Sequence, residues 1–150
     1  MFFRNNDHTS LSRVAELERE WSSAPWSETA LADFLTDSCA HLLTAHEGDT
    51  LLGYATWRGV LDAAELVNIA VSPAARCGGV GRKLLCRLIE DARESGIETI
   101  TLEVRATNRA ARALYESAGF VSCGVRKHFY THPDEDGIIY VHTRKGQDAL

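Results

Sequence analysis

The chain has 150 residues, of which 45% are hydrophobic and 25% charged, and its formal net charge is −5. This length and composition suit a single compact domain over residues 1–150 with a core of its own, so we expect no second domain. The acidic balance argues against direct nucleic-acid binding, which needs a broad positive field to displace counterions from phosphates.

The amino-terminal segment, residues 1–38, is predicted to be helical after a short lead. Pro25 cannot continue a first helix, and Ser27 can cap a second one, so the segment divides at 25–27. The apolar positions that recur near the helical repeat are Leu11, Val14, Trp21, Leu31, Phe34 and Leu35.

Strand patterns begin at His41. Residues 41–47 and 51–60 flank the turn Gly48-Asp49, which predicts a hairpin, and residues 65–71 predict a third strand. The pattern of all three is typical of an antiparallel sheet with one buried face.

A glycine-bearing loop, residues 72–81, is predicted to lead from the third strand into a helix. Gly96 is expected to end that helix. The apolar face of the helix comprises Leu84, Leu85, Leu88, Ile89 and Ala92.

The carboxyl-terminal part of the chain predicts a strand, a short helix and two more strands. Residues 98–105 alternate between aliphatic and polar side chains, as in a strand with one buried face. Asn108 is a good N-cap for a helix that runs to Ala118. Two strands, at about 120–130 and 137–143, are then expected to flank an acidic turn.

Cysteine usage and hydropathy give further limits. The four cysteines follow no CxxC or other metal-ligand spacing, and no apolar segment after Met1 indicates export. No apolar run approaches the roughly 18 residues of a membrane span, and the histidines show no ligand pattern. We therefore expect a soluble cytoplasmic protein, a monomer or weak dimer, with no metal and no membrane association.

Residues 76–83, with the sequence RCGGVGRK, offer a place for a phosphate group. Where a loop enters a helix, main-chain N–H groups and the helix dipole converge on an anion, and glycine lets the anion reach the backbone. The segment is neither a Walker sequence nor GxGxxG, which disfavours nucleotide hydrolysis and dinucleotide binding. Arg76, Arg82, Lys83 and Arg87 gather positive charge that suits a diphosphate. The alternative is a flexible connector with a solvated basic face.

This loop and the order of elements resemble the GNAT superfamily of acetyltransferases. Val71-Ser72-Pro73 followed by Arg76-x-x-Gly79-x-Gly81 is similar to that family's acetyl-CoA pyrophosphate signature, and the element order from about residue 10 to 143 is similar as well. The resemblance implies an α+β GNAT fold (acyl-CoA N-acyltransferase), whose mixed, mostly antiparallel sheet of about six to seven strands is flanked by about four helices.

Within that superfamily the chain resembles the bacterial ribosomal-protein-alanine N-acetyltransferases of the RimI type. The resemblance implies direct transfer of acetyl from acetyl-CoA to the N-terminal α-amino group of a protein, with a ribosomal protein as candidate acceptor. The alternatives are a lysine side chain or a small amine as acceptor, or a non-catalytic acyl-CoA sensor. The segments that carry the resemblance are Pro25-Trp26-Ser27, Asn68-Ile69-Ala70-Val71, Leu102-Glu103-Val104-Arg105, Asn108 and Ala113-Leu114-Tyr115-Glu116-Ser117-Ala118-Gly119-Phe120.

The same resemblance implies which residues hold the acetyl-CoA. The backbone of the third strand would pair with pantetheine as an added strand does, and the Val71 N–H would polarise the thioester. Asn108 would contact the cofactor, a role compatible with capping its helix. The implied cofactor-binding set is Ile69, Ala70, Val71, Arg76, Cys77, Gly78, Gly79, Val80, Gly81, Arg82 and Asn108.

Acetyl transfer to an amine also needs a neutral nucleophile and a proton for the leaving thiolate. Strand alternation alone favours Glu103 as a solvent-facing residue, whereas the resemblance implies that it is the general base. Helical spacing alone makes Tyr115 a packing residue, whereas the resemblance implies that it is the general acid. The acidic turn 132–136 would border the acceptor site and attract a basic peptide, or else be a solvated hairpin tip.

Overall fold

A computed structural model describes residues 1–144, which form seven strands and four α-helices. Two single 3-10 turns lie at His8–Ser10 and Pro73–Ala75. In chain order the elements are β1 (Phe2–Asn5), α1 (Leu11–Trp21), α2 (Glu28–Phe34), β2 (Ala40–Glu47), β3 (Thr50–Val60), β4 (Ala63–Val71), α3 (Val80–Glu94), β5 (Thr99–Arg105), α4 (Arg109–Ser117), β6 (Val121–Tyr130) and β7 (Glu135–Thr143).

The strands pair in the order β1-β2-β3-β4-β5-β7-β6. β4 pairs with β5 in parallel, through Ala63–Glu65, whereas β1 with β2, β2 with β3, β5 with β7 and β6 with β7 pair antiparallel. The predicted mixed, mostly antiparallel sheet is therefore confirmed.

Local sequence signals define the helix ends as expected. The Ser27 hydroxyl accepts a hydrogen bond from the Ala30 N–H at 3.1 Å, as an N-cap does. Gly96 and Gly119 adopt φ values of +86° and +97°, the left-handed conformation that ends a helix at little steric cost in glycine.

One strand was not predicted. Residues 1–38 were expected to be helical after a short lead, but Phe2–Asn5 form β1 and pair with β2, with Phe2 opposite His46. Four residues are too few to show a period, so this strand depends on a partner that lies far away in the sequence. β4 and β7 also begin earlier than predicted, at Ala63 and Glu135.

The chain divides into two compact units. The first unit comprises Met1–Arg58 and Leu66–Leu88, and its core is built from Leu11, Val14, Ala15, Leu17, Leu31, Leu42 and Tyr54. The second unit comprises Gly59–Glu65 and the described residues from Ile89 onward, and its buried side chains include Ile100, Leu102, Val104, Tyr115, Phe120 and Tyr140. A single domain over 1–150 stays a prediction, and positions 145–150 lie outside the described residues. None of the described helices combines the length and apolarity that a bilayer crossing requires.

Candidate active site

The predicted phosphate loop lies in the first unit and joins β4 to α3. Residues 76–79 form a turn directly before Val80, the first residue of α3. Gly79 has φ +80°, and a Cβ built there would meet nothing within 4 Å. This backbone conformation strains any other residue, and the open space leaves the main chain accessible to an anion.

The charges around the start of α3 favour an anionic ligand. Arg82 and Lys83 are exposed, and the first turn of α3 contains no acidic residue. Arg76 donates a hydrogen bond from Nε to the Val71 carbonyl at 3.3 Å, which ties the loop to the end of β4. Arg87, counted with this basic group in the sequence, instead lies over the Phe3 ring at 5.4 Å.

The end of β4 is held by close main-chain contacts with β3. A Cβ at Gly53 would lie 2.7 Å from the Ala70 carbonyl oxygen, so only glycine allows this approach without a shift of backbone. Beyond the strand, the Ser72 N–H donates to the Leu52 carbonyl at 2.7 Å. β3 therefore fixes the position of residues 69–71, which are half-buried.

Glu103 lies on β5 in the second unit, on the face opposite the buried Leu102 and Val104. Its side chain is 23% exposed, and its Oε1 lies 3.2 Å from Nε of Arg126. Its Oε2 is buried and has no hydrogen-bond partner among residues 1–144. A buried carboxylate oxygen without a donor is costly, and it is suited to receive a donor from a ligand.

Tyr130 lies close to this carboxylate. Burial, and then the negative charge of Glu103, raise the pKa of Tyr130. The Arg105 guanidinium lies 4.6 Å from the Tyr130 ring centroid and donates to the carbonyls of Thr131, at 3.0 Å, and Pro133, at 2.9 Å. The last residue of β5 thus positions the end of β6 and the turn that follows it.

Tyr115 is buried on α4 and packs against aromatic rings, at 5.9 Å from Phe120 and 6.2 Å from Tyr140 between centroids. Burial raises the pKa of Tyr115 well above its ordinary value, and the Tyr130 charge adds to this effect. The phenol therefore keeps its proton at neutral pH.

Asn108 caps α4, as predicted. Its side-chain oxygen accepts a hydrogen bond from the Ala111 N–H at 3.2 Å. Capping uses that oxygen alone and does not involve the NH2 group, which is the donor that a ligand would require.

The acidic turn is largely engaged within the second unit. Glu135 accepts from the Thr107 N–H at 2.7 Å, and Asp136 accepts from the His128 N–H at 3.0 Å. Asp134 lies 2.8 Å from Nδ1 of His128, and this hydrogen bond raises the pKa of the imidazole. Asp134 is the most open of these carboxylates, at 63% exposed, so the turn offers less free negative charge than its composition indicates.

Two arginines near Glu103 were not among the predicted site residues. Arg126 contacts the Glu103 carboxylate directly, and Arg105 holds Tyr130. Arg105 could have been found from strand alternation, which puts it on the same face as Glu103. Arg126 could not, because its approach depends on the pairing of three separate strands.

Comparisons with known proteins identify the family and the fold. The model of the acetyltransferase (GNAT) family matches residues 11–120. The [ribosomal protein bS18]-alanine N-acetyltransferase of Escherichia coli strain K12 is 38% identical over 133 residues, which cover 87% of this chain and 89% of that protein. The crystal structure of the ribosomal-protein-S18-alanine N-acetyltransferase from Escherichia coli superposes with a TM-score of 0.86 and 35% identity, covering 95% of this chain and 92% of that one. The yncA protein of Salmonella typhimurium, solved with its cofactor acetyl-CoA, has the same fold, with a TM-score of 0.82 at 22% identity and coverage of 95% and 93%.

Proposed function

Because this chain belongs to the GNAT family of acetyltransferases, we propose that it moves acetyl from acetyl-CoA to the N-terminal α-amino group of a protein whose first residue is alanine, with ribosomal protein bS18 as the leading candidate. The observation that carries the catalytic part of this proposal is Glu103, whose buried Oε2 has no partner among the described residues. The similarity to a bS18-alanine acetyltransferase over most of both chains supports the choice of acceptor.

The loop before α3 fits the diphosphate of coenzyme A. Gly79 keeps a left-handed backbone with open space beside it, Arg82 and Lys83 are exposed, and no carboxylate lies in the first turn. We assign pantetheine binding to the backbone of 69–71, and a further contact to the NH2 group of Asn108. The remaining cofactor-binding residues of the proposal are Arg76, Cys77, Gly78, Gly79, Val80, Gly81 and Arg82.

The proposed reaction is a direct transfer within one ternary complex. An α-amino group has a pKa of about 8, so most of it is protonated at neutral pH and must lose a proton before attack. Glu103 accepts that proton at Oε2. The amine nitrogen then forms the new amide bond to the acetyl carbon while the carbon–sulfur bond breaks, and the nitrogen releases its second proton to solvent. Tyr115 donates its phenolic proton to the departing thiolate and recovers one from solvent.

A panel of amines tests the acceptor. We expect acetyl-CoA-dependent acetylation, detected by mass spectrometry, of a peptide with a free N-terminal alanine, and none of the same peptide with a formylated amino terminus. Peptides that differ only in the first residue measure the preference for alanine. Preferred turnover of an internal lysine or a polyamine would replace the proposed acceptor. Binding of acetyl-CoA without turnover of any amine would indicate a sensor.

A further inference from the structure

The first unit contains a buried carboxylate that the reaction above does not use. Glu18, on α1, is 1% exposed. Its Oε1 accepts hydrogen bonds from the Tyr54 hydroxyl at 2.8 Å and from Nδ2 of Asn68 at 2.9 Å, and its Oε2 accepts from the Trp26 N–H at 2.5 Å. Both oxygens of this carboxylate are therefore satisfied by protein donors.

Stability of the core does not account for this residue. Burial removes the carboxylate from water, and these three donors are all neutral groups, so they replace only part of the lost hydration. The surrounding cluster is aliphatic and includes Leu11, Val14, Leu17, Leu31 and Leu42. A fully apolar set in place of Glu18 and its side-chain donors would suit that cluster at lower cost, whereas loss of the carboxylate alone would leave those donors unpaired. Glu18 is better explained by the geometry that its hydrogen bonds impose.

The three donors belong to three different segments. Tyr54 lies on β3 and directly follows Gly53, whose Cα faces the Ala70 carbonyl. Asn68 lies on β4 and directly precedes residues 69–71. Trp26 lies in the connection between α1 and α2, where its ring packs edge-on against Phe34 at 5.2 Å. One carboxylate thus fixes the helix connection and the two strands at a single point.

We propose that Glu18 is a positioning residue for acetyl transfer. By holding Asn68 and Tyr54 it fixes the main chain of residues 69–71, to which the thioester end of acetyl-CoA binds, and by holding the Trp26 N–H it keeps the helix connection beside that strand. The inference rests on the proposed function of 69–71. The diphosphate loop lies beyond this network, so Glu18 controls the placement of the reacting carbonyl more than the retention of the donor.

The substitution Glu18→Gln tests this role. Glutamine keeps one acceptor oxygen and presents an NH2 group on the other side, so it cannot accept from both Trp26 and the Tyr54–Asn68 pair. Because small misplacements of reacting atoms cost up to about 100-fold in rate, we expect kcat to fall by about tenfold or more. The Kd of acetyl-CoA by calorimetry should change by less than about threefold, with unchanged stoichiometry, since the diphosphate loop is intact.

The control is Val14→Ala, which removes buried methyl groups from the same helix without removing any hydrogen bond of the network. Its kcat should stay within about twofold of wild type even if its melting temperature falls as far as that of Glu18→Gln. Tyr54→Phe removes one donor, should lower kcat less than Glu18→Gln does, and carries the test if Glu18→Gln does not fold. Wild-type kcat in the folded network variants, or an equal loss in Val14→Ala, overturns the positioning role. Absence of turnover in the wild-type protein overturns the proposed function instead.

Discussion

Replacement of Glu103 by glutamine should remove the proposed base while preserving the shape of the site. Glutamine has nearly the same size, and its oxygen can still accept from Arg126, which lies 3.2 Å from Oε1 in the wild-type protein. At the buried Oε2 position, however, the variant has either an amide NH2 or an amide oxygen, and neither accepts a proton from an ammonium group at neutral pH.

The size of the effect follows from these contacts. A positioned general base contributes about 10²- to 10⁴-fold in rate, which corresponds to about 3 to 5 kcal/mol in the activation barrier. The ion pair with Arg126 is partly open, with side chains 58% and 23% exposed, so its loss costs less than about 1 kcal/mol of folding free energy. We therefore expect kcat to fall by about 100-fold or more, with little change in the free energy of unfolding.

The assay is steady-state release of coenzyme A in the presence of acetyl-CoA and an alanine-leading peptide, together with thermal unfolding of the same preparation. Glu98→Gln is the matched control, because Glu98 directly precedes β5 and lies 4.0 Å from Arg144 in a similar pair. That control should keep wild-type kcat. A Glu103→Gln protein with kcat within about threefold of wild type would refute the role of Glu103 as the base.

Three further outcomes are expected. Tyr115→Phe should lower kcat by about tenfold or more in a pH-rate series. Because burial raises the pKa of Tyr115, the wild-type profile should show no alkaline decline from this phenol below about pH 10. A wild-type rate in the variant would contradict the role of Tyr115 as the acid. Gly79→Val should weaken acetyl-CoA binding in calorimetry because φ is +80° there, whereas Gly48→Val, at φ +56° in the turn between β2 and β3, should bind nearly as wild type does; equal losses would contradict this account. Burial lowers the pKa of His46 and His142, so the stabilisation present above their unfolded pKa of about 6.5 should be lost as pH falls toward their folded pKa values. In denaturant titrations, His142→Asn should make the free energy of unfolding fall less steeply with decreasing pH. An unchanged dependence on pH in this variant would contradict the account.

The features that the sequence predicts well are those with a local physical cause. Ser27 and Asn108 cap helices because a short polar side chain reaches an N–H three residues later, which needs no tertiary information. Gly79 carries a signal of the same local kind, since a backbone at φ +80° favours glycine whatever surrounds it, whereas phosphate binding by this loop stays a prediction. The alternation in β5 likewise places Glu103 opposite Leu102 and Val104 in the structure.

The features that the sequence does not predict depend on partners far along the chain. Arg126 reaches Glu103 only after β6 pairs with β7 and β7 with β5. Glu18 lies on the apolar face of α1, where the helical pattern predicts a hydrophobic residue. Its hydrogen-bond donors lie far along the chain, at 26, 54 and 68. A charged residue within an otherwise apolar stripe is a detectable signal, but it does not indicate which residues donate hydrogen bonds to it.

The loop and Glu103 differ in how well each distinguishes an enzyme from a protein that only senses acyl-CoA. A loop such as residues 76–83 binds a diphosphate through its own backbone, so a protein that only senses acyl-CoA would need the same loop. In such a sensor a buried carboxylate oxygen without a donor would destabilise the fold and would not contribute to cofactor binding. Among the described residues the buried Oε2 of Glu103 has no donor, so this oxygen favours an enzyme over a sensor more than the loop does.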